Sequence, residues 1–171
     1  VSILGQEYCR GYRDGGIIPV IKHFPGHGRA KLDSHKALPI ISENFDKLLN
    51  VDLKPFQALK NEPMLMIAHI LYEKIDRNIA PYSKKIVIEI LEKFMGYKGL
   101  TLSDDLSMLA LKGSLKTRTE KCFEGGCDIV LYCAGKIKEI IEVYKSSKRI
   151  RKKKFEYFQN SIKNINVKKR L

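Results

Sequence analysis

Short apolar runs alternate with longer amphipathic stretches along this chain. Residues 2–14 place Ile3, Leu4, Tyr8 and Tyr12 at helical spacings, and Gly15-Gly16 punctuates the end of that helix. A β-branched run then predicts a first buried strand at about residues 17–22. The chain turns to loop from Pro25 to about residue 41, and residues 44–60 return to helical spacing through Phe45, Leu48, Leu49, Leu53, Phe56 and Leu59. Met64–His69 predicts a second strand, residues 83–95 an amphipathic helix broken at Gly96, and Gly99–Ser103 a third strand ending in Asp104-Asp105. Residues 114–124 predict a helix closed by Gly125-Gly126, and Asp128–Cys133 a fourth strand.

Four buried strands separated by helices imply parallel strands joined by right-handed crossovers. His23, His69 and Asp104 all fall at the carboxyl ends of those strands, the rim where active sites sit in closed barrels and open sheets alike. Periodicity alone does not choose between the two architectures.

The loop after the first strand concentrates the chemistry. Of the four histidines, His23, His27 and His35 fall within thirteen residues, with Lys22 and Asp33 beside them. A metal site from His23, His27, Asp33 and His35 matches no known ligand spacing, and neither metal nor cofactor is expected. Each residue also has an ordinary reading. Asp104 or, equally well, Asp105 suits a helix N-cap, His35 suits a solvated loop, and His69 suits either the lining or the packing of a pocket.

Charge is unevenly placed. The 171 residues carry a net charge of +13, yet residues 1–135 hold 19 basic and 16 acidic side chains, against 13 and 3 in residues 136–171. The basicity therefore belongs to the C-terminal segment, 145–171, and not to the strand–helix region, 1–144. That segment keeps an apolar stripe, Phe155, Phe158, Ile162 and Ile165, which predicts a docked helix with a solvated basic face rather than a nucleic-acid contact. Cys9, Cys122, Cys127 and Cys133 form no Cys-x-x-Cys pair and suit a reducing compartment. With no signal-like opening and no apolar run long enough to span a membrane, the expected location is cytoplasmic.

Lys22-His23-Phe24-Pro25-Gly26-His27-Gly28 with Asp33-Ser34-His35 resembles the signature of the family 3 glycoside hydrolases, and in particular their bacterial β-N-acetylhexosaminidase branch, which recycles cell-wall muropeptides. Ser103–Met108, Met66–His69 and Gly125–Asp128 fit the same branch, so the similarity runs from about residue 5 to 135. The resemblance implies a (β/α)8 barrel of which these four strand–helix units are the C-terminal half, followed by a basic helical tail. It implies Asp104 as nucleophile, His35 as general acid/base assisted by Asp33, and Lys22 and His23 as sugar-binding residues. The implied reaction is retaining hydrolysis of a terminal β-linked N-acetylglucosamine; some family members pass the sugar to phosphate instead.

These roles are chemically coherent. Retention needs one carboxylate to attack the anomeric carbon and one acid to protonate the leaving oxygen. An imidazole, with an ordinary pKa of about 6.5, suits a group that alternates between acid and base. Asp33 is positioned in sequence to fix its tautomer. Length is the difficulty, because a barrel of this type takes about 250 residues. The chain opens on Val1, in the middle of a helical pattern. Three readings follow: a piece of a longer enzyme, a subunit completed by a separately encoded N-terminal half-barrel, or an inactive remnant.

Overall fold

The computed structural model describes residues 1–163 and residue 165. The expected basic tail includes Lys168, Lys169 and Arg170, which lie outside the described residues.

Four strands form one parallel sheet: β1 (Val20–Phe24), β3 (Met64–Ile67), β5 (Leu100–Asp105) and β6 (Ile129–Leu131), in the spatial order β1-β3-β5-β6. Spatial order therefore follows chain order. With right-handed crossovers, that order puts every connecting helix on the same face, the winding of a (β/α)8 barrel rather than a doubly wound sheet. The molecule is an α/β protein with the architecture of a partial barrel.

The elements follow from local chemistry. Helix α1 (Ser2–Asp14) ends where the sequence predicts, at Gly15. Strand β1 begins three residues later than expected, at Val20, which pairs with Met64. Pro19, immediately before it, has no N–H to offer a ladder. Residues 40–41, expected as loop, form a short strand β2 (Ile40–Ile41) parallel to β4 (Leu71–Tyr72). The predicted helix at 44–60 appears as α2 (Phe45–Lys47), a wider-turned stretch from Leu48 to Asp52, and α3 (Lys54–Ala58). It is capped by the Asn44 side chain and widens just ahead of Pro55. Residues 85–94 form a second wide helix, burying Ile86, Val87, Ile90 and Leu91. Helix α4 (Leu115–Gly125) is capped by Ser114 and ends at Gly126, whose φ of 112° is the left-handed conformation glycine tolerates. A Cβ at Gly125 would stand 2.2 Å from the Pro81 carbonyl, so only glycine lets α4 pack this closely against the 80–82 turn.

Helix α5 (Ile137–Ser146) runs through positions 144–145, and α6 (Lys152–Lys163) returns to the barrel. Of the expected apolar stripe, Ile165 is buried and Phe158 and Ile162 are half-buried, but Phe155 is not an anchor. Phe155 is exposed, whereas Lys154 is buried, donating to the Gly99 carbonyl at 2.8 Å and pairing with Glu92 at 2.8 Å. Its ammonium also lies 5.3 Å from the centre of the Tyr97 ring. Arg151 pairs with Glu92 and, at 2.7 Å, with the buried carboxylate of Asp128. The unbranched lysine stem crosses apolar surface that a phenyl ring would also cover, but only the ammonium reaches the waiting oxygens.

Among the described residues, strands β1 and β6 each have a neighbour on one side only. Beside them, α1 exposes Leu4, Tyr8 and Tyr12, and α5 exposes Ile137, Ile140 and Tyr144. Both flanks of the sheet are thus apolar.

Candidate active site

His23, His69 and Asp104 come together at the carboxyl ends of three consecutive sheet strands. Asp104 Oδ1 accepts the Asp105 backbone N–H at 2.8 Å, and Oδ2 lies 3.7 Å from His23 Nε2, across the end of β3. Burial pushes the His23 imidazole below its ordinary pKa; Asp104 opposes the push, and Lys22, His27 and His35 add to it.

The two adjacent aspartates have separate work. Asp105 Oδ1 accepts the backbone N–H groups of Ser107 and Cys133, each at 3.0 Å, and Oδ2 accepts the Ser107 hydroxyl. Burial raises its pKa, but these bonds outweigh burial and hold it below the usual carboxylate value. Asp105 therefore ties the loop after β5 to the chain just past β6, while Asp104 keeps one oxygen turned to the rim. Neither caps the next helix, α4, whose cap is Ser114.

The histidine loop reaches the same rim. His35 and Asp33 are exposed, and Asp33 Oδ1 accepts the His35 backbone N–H at 2.9 Å. Here Asp33 shapes the turn that carries His35, and no hydrogen bond reaches the His35 imidazole among the described residues. The His35 carbonyl accepts the Leu109 N–H at 3.4 Å, tying this loop to the one that follows Asp104 and Asp105. His27 bonds Ser34 at 3.2 Å and packs edge-on to His23, ring centres 5.8 Å apart. Both are scaffolding contacts.

Three residues that local sequence pattern does not mark hold the base of this loop. The buried Tyr72 hydroxyl donates to the Gly26 carbonyl at 2.6 Å, and Arg29 Nε donates to Asp52 Oδ2 at 2.8 Å. Gly26 has φ 133°, and a Cβ there would meet the Asp52 side chain at 3.1 Å. No short-range spacing links Arg29 to Asp52, so only the fold reveals the pair. Lys22 and His23 line a groove along β1 that also takes in Tyr8, Val20 and Gly28.

His69 is fully buried two residues beyond β3, and among the described residues neither ring nitrogen has a hydrogen-bond partner. Burial drives its pKa down to about 4, against the opposing pull of Asp104 and Asp105. Among the described residues, no three His, Cys, Asp or Glu side chains converge as a metal site. No helix among them is long and apolar enough to cross a membrane.

Comparison with known proteins gives a consistent picture. The model of the glycosyl hydrolase family 3 N terminal domain matches residues 1–165. A beta-hexosaminidase of Psychromonas ingrahamii is 36% identical over 135 residues, covering 76% of this chain and 40% of that protein. One from Neisseria gonorrhoeae is 41% identical over 137 residues, covering 78% of this chain and 38% of its own length. Among solved structures, NagZ from Neisseria gonorrhoeae in complex with N-trifluoroacetyl-D-glucosamine superposes with a TM-score of 0.77 at 34% identity, over 89% of this chain and 45% of that one. Zinc-bound CbsA from Thermotoga neapolitana superposes with a TM-score of 0.78 at 32% identity, over 93% and 38%. The chain thus spans about two fifths of the length of the curated relatives it matches.

Proposed function

This chain belongs to glycosyl hydrolase family 3, through the family's N-terminal domain, and from that premise we propose that it carries the catalytic rim of a retaining β-N-acetylhexosaminidase. The observation that carries the reading is the Asp104 carboxylate at the end of β5, with one oxygen open to the rim and the His35 loop tied in beside it.

In this reading Asp104 attacks the anomeric carbon of a terminal β-linked N-acetylglucosamine, and the glycosidic C–O bond breaks. His35, protonated, gives its proton to the departing oxygen, leaving a neutral imidazole and a covalent glycosyl–Asp104 ester. Water then attacks the same carbon while His35 takes up its proton, which releases the sugar with its configuration retained and restores both groups. Lys22 supplies charge-assisted hydrogen bonds to sugar hydroxyls, and the mainly neutral His23 adds a donor. Asp33, which holds the His35 backbone, orients the imidazole when the loop closes over the sugar.

The substrate class is the cell-wall muropeptide, met in the cytoplasm during peptidoglycan recycling. The groove along β1 and the apolar flank of α1 support the reading that further strand–helix units, an N-terminal half-barrel, complete the pocket. The test is release of chromophore from a β-N-acetylglucosaminide, by the chain alone and with those units supplied. Release in the second arm is expected, and inorganic phosphate in the same assay tells sugar phosphate from free sugar as product. No release from a complex confirmed to be folded would overturn the proposal in favour of a non-catalytic half-barrel.

A further inference from the structure

Arg118 takes no part in the catalytic scheme, yet it holds the segment on which the His35 loop rests. Residues 106–114 join the end of β5 to the start of α4. Arg118, one turn into α4, reaches back over both ends of that connection. Its Nη1 donates to the Leu106 carbonyl at 2.7 Å and its Nε to the Gly113 carbonyl at 3.0 Å. Leu106 is completely buried, so its carbonyl needs a donor from within the protein. Gly113 has φ 91°, the left-handed conformation that turns the chain into the Ser114 cap.

The helix alone does not account for an arginine here. Helix α4 has no acidic residue in its first turn and carries Lys116 and Arg118 close to its N-terminus, where the helix dipole favours anions. The compensation lies in the loop, since a guanidinium presents its N–H donors in a rigid planar fork and spans two carbonyls at once. A lysine ammonium is a single point charge and cannot do so.

The segment so held is the seat of the proposed acid/base. Leu106, Met108, Ala110 and Leu111 are buried, whereas the Leu109 side chain is exposed. The Leu109 backbone N–H donates to the His35 carbonyl at 3.4 Å. Among the described residues, this is the one hydrogen bond that joins residues 31–38 to anything outside the histidine loop. Nearer β5, Ser107 donates to Asp105, the neighbour of Asp104. One short connection thus touches both sides of the proposed catalytic pair, and Arg118 is the side chain that pins its two ends.

We propose that Arg118 is a positioning residue for this reaction. By pinning residues 106–113 at both ends, it holds the Leu109 N–H where it seats the His35 loop beside Asp104. It acts through the loop and not on the sugar. This role rests on the acid/base reading of His35, but its test needs no turnover.

The test is nuclear magnetic resonance on this chain labelled with 13C-carbonyl histidine and 15N-lysine. Of the four histidines only His35 precedes a lysine, so one 13C–15N pair identifies its carbonyl. Leu109→Pro removes the donated N–H outright and sets the signal of an unseated His35 carbonyl. Arg118→Met, which keeps an unbranched stem but has no donor, is expected to move that signal in the same direction and by most of the same amount. Arg118→Lys, reaching one carbonyl only, is expected to move it less. The remaining histidine carbonyls, including those of His23 and His27, which accept from Gly26 at 2.9 Å and Ala30 at 3.0 Å, are expected to stay where they are. An unmoved His35 signal in folded Arg118→Met overturns the proposal, and so does equal movement of all the histidine carbonyls, the mark of general loosening. An unmoved signal in Leu109→Pro overturns it too, because the His35 loop is then not seated by that bond. If Arg118→Met does not fold, Arg118→Lys decides, and an unmoved His35 signal there overturns the proposal. Absence of glycosidase activity leaves each of these outcomes readable.

Discussion

His23 Nε2 stands 3.7 Å from Asp104 Oδ2 although the strands that carry them are not neighbours, being separated by β3. The contact closes over the end of the middle strand and makes a single surface of three strand ends. It is not a strong ion pair at neutral pH, since burial keeps the imidazole mainly uncharged. It acts instead as a steric and polar boundary for the carboxylate.

The two aspartates make opposite predictions. Asp104→Asn in the completed barrel is expected to lower kcat by at least about a thousandfold with little change in stability, as removal of a nucleophile does. Asp105→Ala takes acceptors from Ser107 and Cys133. It is expected to cost about 1–3 kcal/mol of stability, read by urea unfolding. A reversed pattern would assign the nucleophile to Asp105.

His35→Ala is expected to lower kcat by about 10²–10⁴-fold and to remove one limb of the pH–rate profile. Asp33→Asn keeps an oxygen for the His35 N–H but lacks the charge that stabilises an imidazolium. It should therefore leave the melting temperature unchanged while lowering kcat, whereas Asp33→Ala lowers both. Circular dichroism melts and steady-state rates separate the two effects.

Stability should depend on pH through His69. Its pKa is about 4 in the folded chain and about 6.5 when unfolded. Between those values the unfolded state binds more protons, so stability is complete above about pH 6.5 and falls as the pH drops towards 4. The loss amounts to about 3 kcal/mol across the window. Urea midpoints at pH 7.5 and pH 4.5 measure it, and His69→Gln should flatten the dependence.

Arg151→Ala is expected to cost about 1–3 kcal/mol, because it leaves the Asp128 carboxylate without its cation. Asp128 also accepts from the Thr101 hydroxyl and backbone, so the variant should unfold at lower urea with an unchanged rim. Loss of activity before loss of stability would contradict this division between the two ends of the sheet.

Much of this was readable in the residues. The runs at 64–69 and 128–133 each contain an observed strand, and the run at 99–103 holds the first four residues of β5, because buried parallel strands are continuous apolar runs. Strands β2 and β4 escaped notice because two residues carry no period. Placement of His23 and Asp104 near strand ends was also readable, but sequence alone cannot divide the hydrogen bonding between Asp104 and Asp105. That division depends on Cys133, which arrives from another strand. The bond from Asp33 to the His35 backbone did have a signal, since an aspartate that accepts from the N–H two residues on makes a familiar turn. The burial of His69 had none, because a polar residue at a strand end faces inward or outward according to its neighbours.

The attachment of Asp105 to Cys133, together with that of Ser103 Oγ to the Leu131 N–H at 3.3 Å, gives β6 a further part to play. It splints the far side of β5, the strand that carries Asp104, the proposed nucleophile. The two flanks of this sheet are therefore unequally tied, the β6 side being joined by hydrogen bonds to the strand that carries Asp104.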